Sequence, residues 1–235
     1  MSFFISLGIV LLAMLIMAFL QLQSGVFSLF YHYTIGKYPK ARASDMSLFF
    51  ILGAEVASAC LFLCSYYFTN IFFLHYFRPE TSFWAWAVAG VLIALSIISL
   101  LCYFRPGRGT KLFISRKYAK ALDQKAYTAK SRSDAFILGL LSGSAELIFT
   151  LPLYIITSVE IMEMSVKFSP SHLLTLLYII VPIIPLFIIR WAFQSGRNLA
   201  EIQKTRVHDK SFTKFVLFAS YSAIAILIIF FRITG

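Results

Sequence analysis

The sequence predicts an all-α polytopic membrane protein with six transmembrane helices, arranged as two inverted three-helix repeats. Of its 235 residues 60% are hydrophobic and only 13% are charged, about half the charged fraction of a soluble domain. Six apolar runs reach the roughly 20 residues that a bilayer span needs. Along the chain, loops that are rich in basic residues alternate with loops that are poor in them. Disorder, a coiled coil and a water-soluble globule are excluded by the same composition.

Each apolar run is predicted to be a transmembrane helix. The first has no small-x-small cleavage site, so it is predicted to be a retained helix and not a signal peptide. The six spans are predicted at about 3–23, 46–68, 82–104, 135–158, 171–192 and 212–231. One transmembrane domain then covers 1–235, with repeat 1 at about 1–104, a basic loop at 105–133 and repeat 2 at about 134–235.

Orientation follows from the charges, which sum to a net +11. Eighteen of the 21 Lys and Arg residues lie in three segments that alternate along the chain, 24–45, 105–133 and 190–214. The basic side is predicted to be cytoplasmic, with both termini outside, in a bacterial inner membrane. The 105–133 segment either forms a cationic helix that touches anionic membrane lipids or serves only as a topology signal. The positive charge therefore predicts no nucleic-acid partner.

The two halves carry a faint internal repeat. Ser24-Gly25 ends the first span and Ser142-Gly143 interrupts the fourth, and both fit S-G-x-x-x-L. Interrupted helices at matching positions of inverted halves indicate a transporter site. Gly53 and Gly90 are instead predicted to permit close helix packing.

Two carboxylates, Glu55 and Glu146, fall well inside predicted spans, each about 15 Å from a cytoplasmic helix start. Burial of an ionised group at that depth is costly, so such residues are usually functional. No Lys or Arg lies at the same depth in any predicted span. Glu55 and Glu146 therefore stay protonated, share a proton or bind a transported cation. The structural alternative is a protonated Glu that hydrogen-bonds a neighbouring helix.

A polar face on the fourth span completes the predicted binding site. Ser142, Glu146 and Thr150 stand four residues apart, so a continuous helix would place them on one face. We expect Glu146 to line a central cavity with residues from both halves. The predicted substrate-binding residues are Glu146, Ser142, Gly143, Ser144, Thr150, Ser24, Gly25, Gln21, Gln23 and Glu55.

Motifs for enzymatic chemistry are missing. No histidine belongs to an HExxH motif, no cysteine pair has CxxC spacing, and no P-loop or GxGxxG is present. The sequence therefore predicts no enzyme, no catalytic residue, no cofactor and no metal site. Cys60, Cys64 and Cys102 are predicted to pack as small hydrophobic side chains.

The chain resembles the LysE superfamily of six-helix transporters. The segment from Phe136 to Phe149 reads FILGLLSGSAELIF, similar to the family form F-x-x-G-L-L-N-P-x-A-x-x-x-F. Ser24-Gly25 stands where the first helix of the family breaks at P-G-P, and Gly36-Lys37 follows as the basic G-[KR]. The chain departs from the family at both proline breaks and at Glu146. It also lacks the cysteines of electron-carrying relatives and the paired aspartates of the metal-transporting branches.

Three functions compete on these observations. The first is a secondary exporter of a small solute, coupled to protons or another cation through Glu146 or Glu55. The second is translocation of an envelope lipid or glycolipid, which the resemblance also implies. The third is a non-transporting membrane subunit that scaffolds a partner. The predicted partners are a small-molecule or lipid substrate, membrane lipids and a second copy of the chain in a homo-oligomer.

Overall fold

The structure is a computed structural model that describes residues 3–20, 22–75, 82–104, 113–165 and 171–233. It is all-helical, with 90% of residues in helix and no strand among those described. The α-helices of these residues are α1 Phe3–Phe19, α2 Leu22–Lys37, α3 Lys40–His75, α4 Ser82–Leu101, α5 Arg116–Thr128, α6 Arg132–Ser144, α7 Leu147–Ser165, α8 Ser171–Ile180, α9 Ile184–Gln194, α10 Leu199–His208 and α11 Lys210–Ile228. A 3₁₀ turn at Val181–Ile183 joins α8 to α9, and a π-helical turn at Ile229–Ile233 follows α11.

Several helices have the length and composition of membrane spans. In the described part of the chain, five segments qualify: Phe3–Lys37, Lys40–Phe72, Leu147–Met164, Leu173–Gln194 and Lys210–Phe231. The predicted third span corresponds to a shorter apolar helix, Ala85–Leu101. The predicted second span begins six residues too late, because α3 already starts at Lys40. Its 36 residues give it a length of about 54 Å.

Helices α3 and α6 approach each other backbone to backbone. A Cβ atom added at Gly53 would collide with the carbonyl oxygen of Phe136, and one at Gly139 would collide with the carbonyl oxygen of Phe50. The prediction of close packing at Gly53 is thus confirmed. At Gly90 it is wrong, because no heavy atom of the described residues lies within 4 Å of an added Cβ.

Helix α4 packs against α11, and α1 lies against α7 and α11. The Ser96 and Ser222 hydroxyls bond across the α4–α11 interface at 2.7 Å. Ile9 of α1, Leu153 of α7 and Leu217 of α11 are fully buried members of one hydrophobic core. The last helices of the two chain halves are therefore neighbours in the bundle.

The basic loop contains α5, which docks on other helices. The Ser115 side chain caps its first turn, and its buried residues are Leu122 and Ala126. The Tyr118 hydroxyl donates to the Leu141 carbonyl at 2.7 Å, and the Tyr33 hydroxyl donates to Asp123 at 3.1 Å. The apolar face of α5 thus covers α2 and α6, and its lysines face outward.

Two pairs of consecutive helices are separated by short breaks, one between α1 and α2 and one between α6 and α7. The first break falls between Phe19 and Leu22 and the second between Ser144 and Leu147, so each lies a few residues from its predicted position. Ser24-Gly25 lies inside α2 and Ser142-Gly143 inside α6. The Ser142 hydroxyl bonds its own helix at the Gly139 carbonyl, at 2.9 Å, and this bond is compatible with an unbroken turn.

Candidate functional site

The two helix breaks meet at Glu146. This residue is 4% exposed and immediately precedes α7, where its carbonyl accepts from the Thr150 N–H at 3.0 Å. Its Oε1 accepts from the Leu22 N–H at 2.9 Å and from the Tyr103 hydroxyl at 2.7 Å. Leu22 is the first residue of α2. A buried carboxylate from the second half of the chain therefore caps a helix of the first half.

Two sources of positive potential lie at the Glu146 carboxylate. The first N–H groups of a helix have no partner within it, and the helix dipole attracts negative charge there. A cation also lies close, because Arg206 of α10 is half-buried and interacts electrostatically with Glu146 and Tyr103. Desolvation lowers the pKa of the Arg206 guanidinium, while Tyr103 and Glu146 raise it. Glu146 therefore lies between the α2 N-terminus and a half-buried arginine.

Arg206 reaches the junction because Gly25 leaves room for it. A Cβ atom built on Gly25 would lie 2.9 Å from Nη1 and 3.0 Å from Nη2 of Arg206. The expectation that no Lys or Arg within the predicted spans lies at the depth of Glu146 did not foresee this neighbour. It considered only residues inside the spans, whereas α10 lies outside them and folds back onto α2.

A cavity of about 340 Å³ opens beside Arg206. Its walls come from the end of α1, the start of α2, and helices α9, α10 and α11. Polar groups line one part of it, namely Ser24, Arg197, Thr205, Arg206, Asp209 and Thr213. Apolar side chains line the rest, and two of them, Ile188 and Phe212, are also 58% and 60% exposed on the outside of the bundle. The cavity thus has both charged and apolar walls.

The structure brings some predicted site residues of the first half to this region. Ser24 is buried and lines the cavity, and Gly25 contacts Arg206. Gln23 lies half-buried in the first turn of α2. Gln21 lies outside the described residues.

The predicted polar face of the fourth span divides at the break. Thr150 is 2% exposed and faces Tyr154, which also experiences the charges of Glu55 and Glu146. Ser142 and Gly143 belong to α6, where Gly143 packs against Ala54 and Ala57 of α3. Spacing by four aligns side chains only along a continuous helix, and here the helix ends between Ser142 and Glu146.

Ser144 does not face the junction. It is exposed, and its hydroxyl bonds the Leu140 carbonyl at 3.1 Å and the Leu141 carbonyl at 3.2 Å. The same hydroxyl lies next to the Tyr118 phenol, whose pKa it lowers against the larger rise caused by burial. Ser144 therefore helps to seat α5 at the end of α6.

Sequence reasoning missed the partners of Glu146. Tyr103 stands at the end of a predicted span, where a tyrosine is typical of the membrane interface. Arg206 belongs to a basic segment that was explained by topology alone. Within the described residues, no group of three His, Cys, Asp or Glu side chains is arranged to hold a metal ion. Comparison with protein-family models, curated proteins and solved structures finds no match for this chain.

Proposed function

We propose that the chain is an integral membrane secondary transporter whose substrate path passes the junction of the two helix breaks. The observation that carries the proposal is the buried Glu146 carboxylate, which bonds the α2 N-terminus and attracts Arg206. Broken helices that present backbone groups and charge at the centre of a bundle are typical of transporter sites. Irregular backbone is tolerated at membrane depth where protein or water shields it.

An inverted repeat is part of this proposal. Each half contains a broken helix pair, α1–α2 or α6–α7, and ends in an apolar helix, α4 or α11. A two-fold axis in the membrane plane would bring the two breaks together and pair the two last helices. The Leu22–Glu146 bond and the Ser96–Ser222 bond are contacts of the kind that such an axis predicts. The family resemblance supports the same build.

Glu146 is suited to couple transport to protons. As a carboxylate it holds the α2 N-terminus and Arg206 together. Protonation removes the negative charge, so both attractions weaken and the two halves separate more easily. Arg206, released from its partner, then becomes available to an anionic group in the adjacent cavity. The substrate path and the proton site thus share one arginine.

The experiment begins with solute and lipid profiling of cells with and without the protein. The flux of the solute that changes is then measured into vesicles against an imposed pH gradient. We expect Glu146→Gln to reduce pH-driven flux at least tenfold, because Gln keeps an acceptor for Leu22 and Tyr103 but does not titrate. Glu163→Gln, at a half-buried position on α7, is the matched control, and this variant should keep the wild-type flux. Unchanged flux in Glu146→Gln would remove this residue from the mechanism.

Lipid translocation is the second candidate, and the cavity beside Arg206 favours it. Arg197 and Arg206 suit an anionic headgroup, and the exposed Ile188 and Phe212 at its edge suit an acyl chain. A dithionite assay on liposomes with fluorescent phosphatidylglycerol or phosphatidylethanolamine separates the two functions. Protein-dependent movement of the anionic lipid, slowed by Arg197→Gln, would favour translocation. Solute flux without lipid movement would favour the exporter.

A further inference from the structure

A line of buried polar side chains runs between α3 and α7, away from the junction. We define the α3–α7 seam as Ser58, Ser65 and Thr69 of α3, Thr150, Tyr154, Thr157 and Glu160 of α7, and Tyr178 of α8. Every one of these residues is buried and at most 6% exposed. Of these residues, the site described above includes only Thr150 and Tyr154. The sequence alone predicts no role for Glu160.

The seam is continuous along the two helices. Ser58, Phe62, Ser65 and Thr69 recur at helical spacing on one face of α3. Phe62 of that face contacts Tyr154 of α7 at 5.9 Å between ring centroids and Tyr178 of α8 at 4.8 Å. The stripe therefore faces α7 and α8, and it leads away from Ser58, which lies beside Tyr154.

On α7 the polar positions connect two carboxylates. Glu146 and Glu55 act electrostatically on Tyr154, and Thr157 lies beside the Tyr178 phenol. Glu160 follows Thr157 by three residues, so the two share a helix face. At 1.5 Å per residue, Glu146 and Glu160 are about 20 Å apart along the helix.

Several hydroxyls of the seam point to a polar occupant. Among the described residues, the hydroxyl oxygens of Ser65 and Thr69 are buried without a hydrogen-bond partner, and Thr150 and Thr157 have only the Tyr154 and Tyr178 phenols beside them, at less than good hydrogen-bond geometry. Each such group costs about 1–3 kcal/mol unless something bonds it. Water is the ligand that satisfies clustered buried hydroxyls. Ser158, the neighbour of Thr157, differs because its hydroxyl bonds the Tyr154 carbonyl at 2.6 Å.

We propose that the α3–α7 seam holds a chain of water molecules that carries protons between Glu160 and Glu146. A proton bound by one carboxylate passes along the chain as each hydroxyl or water accepts one proton and donates another. Only O–H bonds form and break, and the carboxylate that releases the proton is left ionised. The titratable residues of the seam are Tyr154, Glu160 and Tyr178; Glu55 and Glu146 act electrostatically on Tyr154, and Tyr221 of α11 interacts with Tyr178. The inference rests on the proposed transporter function and supplies its coupling path.

Proton movement is measured in liposomes of phosphatidylethanolamine and phosphatidylglycerol that contain pyranine. Valinomycin and a potassium gradient make the interior negative, which draws protons inward. We expect wild-type protein to acidify the interior faster than protein-free liposomes do. Glu160→Gln and Thr157→Val should each slow this acidification at least tenfold. The matched controls Glu163→Gln and Ser158→Ala should retain the wild-type rate.

Hydration of the seam is tested independently in a background without Cys60, Cys64 and Cys102. Single cysteines replace Thr69, Thr157 or the tightly packed Leu153, and external silver ions compete with later maleimide labelling in detergent. Silver should protect Thr69→Cys and Thr157→Cys but not Leu153→Cys. Absence of silver protection at Thr69→Cys and Thr157→Cys, with both variants labelled as fully as Leu153→Cys, would show a dry seam and overturn the inference. Silver protection also tests the water chain if the Glu160→Gln variant does not fold.

The outcomes separate the seam from the proposed function. Wild-type acidification no faster than that of protein-free liposomes, or unchanged by Glu160→Gln and Thr157→Val, overturns the proton path. Solute flux that depends on Glu146 would still stand in that case. A different result is proton movement that depends on the seam while solute flux is unchanged by Glu146→Gln. That result would contradict the proposed coupling at Glu146, but the proton path through the seam would stand.

Discussion

At the scale of single residues, Tyr103 is the partner that fixes Glu146. Its hydroxyl donates to a buried carboxylate, and hydrogen bonds to charged groups contribute about 1.5–3 kcal/mol. We expect Tyr103→Phe to lower the free energy of unfolding by about that amount, since the ring still packs but one donor is lost. Thermal melting in detergent measures the effect, with Tyr67→Phe as control because Tyr67 is 63% exposed. Equal melting of the two variants would show that the Tyr103 bond contributes nothing.

The position of Glu146 could be predicted from sequence because a carboxylate in an apolar run is a strong signal. The residues that surround Glu146 could not be predicted in this way. Leu22, Tyr103 and Arg206 lie 124, 43 and 60 residues away along the chain, and no periodicity links positions so distant. Helical spacing predicts Ser142 as a companion of Glu146, and the spacing fails because α6 ends at Ser144.

At the scale of helices, the α3–α6 contact depends on glycine. Gly53 and Gly139 each lie against a carbonyl of the other helix, so a methyl group can be accommodated only if the helices separate. We expect Gly53→Ala and Gly139→Ala to destabilise the protein by about 1–3 kcal/mol, as overpacking does. Detergent melting is again the measurement.

Gly90→Ala is the matched control for this prediction. Gly90 also lies inside a helix, but an added Cβ meets nothing within 4 Å. Alanine is the better helix former, so this variant should be neutral or stabilised by up to about 1 kcal/mol. A loss of stability at Gly90 equal to that at Gly53 would mean that helix contact is not the cause.

The helix breaks show what local sequence does and does not determine. Ser-Gly pairs weaken a helix, yet both pairs remain helical because neighbouring helices enclose them. The breaks form instead where tertiary bonds compete with the helix, at the carboxylate of Glu146 and the amide of Leu22. The sequence therefore predicts the position of each break to within about four residues. The packing of the helices determines the exact position.

At the scale of the whole molecule, composition was enough to predict an all-helical bundle with several helices of membrane-span length. The distinctly apolar runs correspond to helices because 18 or more apolar residues can satisfy their backbone internally only as helix. The docking of α5 and the return of α10 onto α2 could not be predicted in this way. Both are amphipathic or polar segments whose positions depend on which surfaces the spans leave uncovered.

The proposed orientation places α5 on the cytoplasmic side and residue Thr81 outside. It rests on the unequal distribution of Lys and Arg, since positive loops resist translocation. Lys120 is an exposed residue of α5, so a cysteine there reports the side of that helix. In a background without native cysteines, we expect an impermeant thiol reagent added to intact cells to label Thr81→Cys and not Lys120→Cys. Permeabilised cells provide the control, because both variants should then be labelled. Labelling of Lys120→Cys alone from outside would reverse the orientation, and the seam between α3 and α7 would then lead from Glu146 to the cytoplasm.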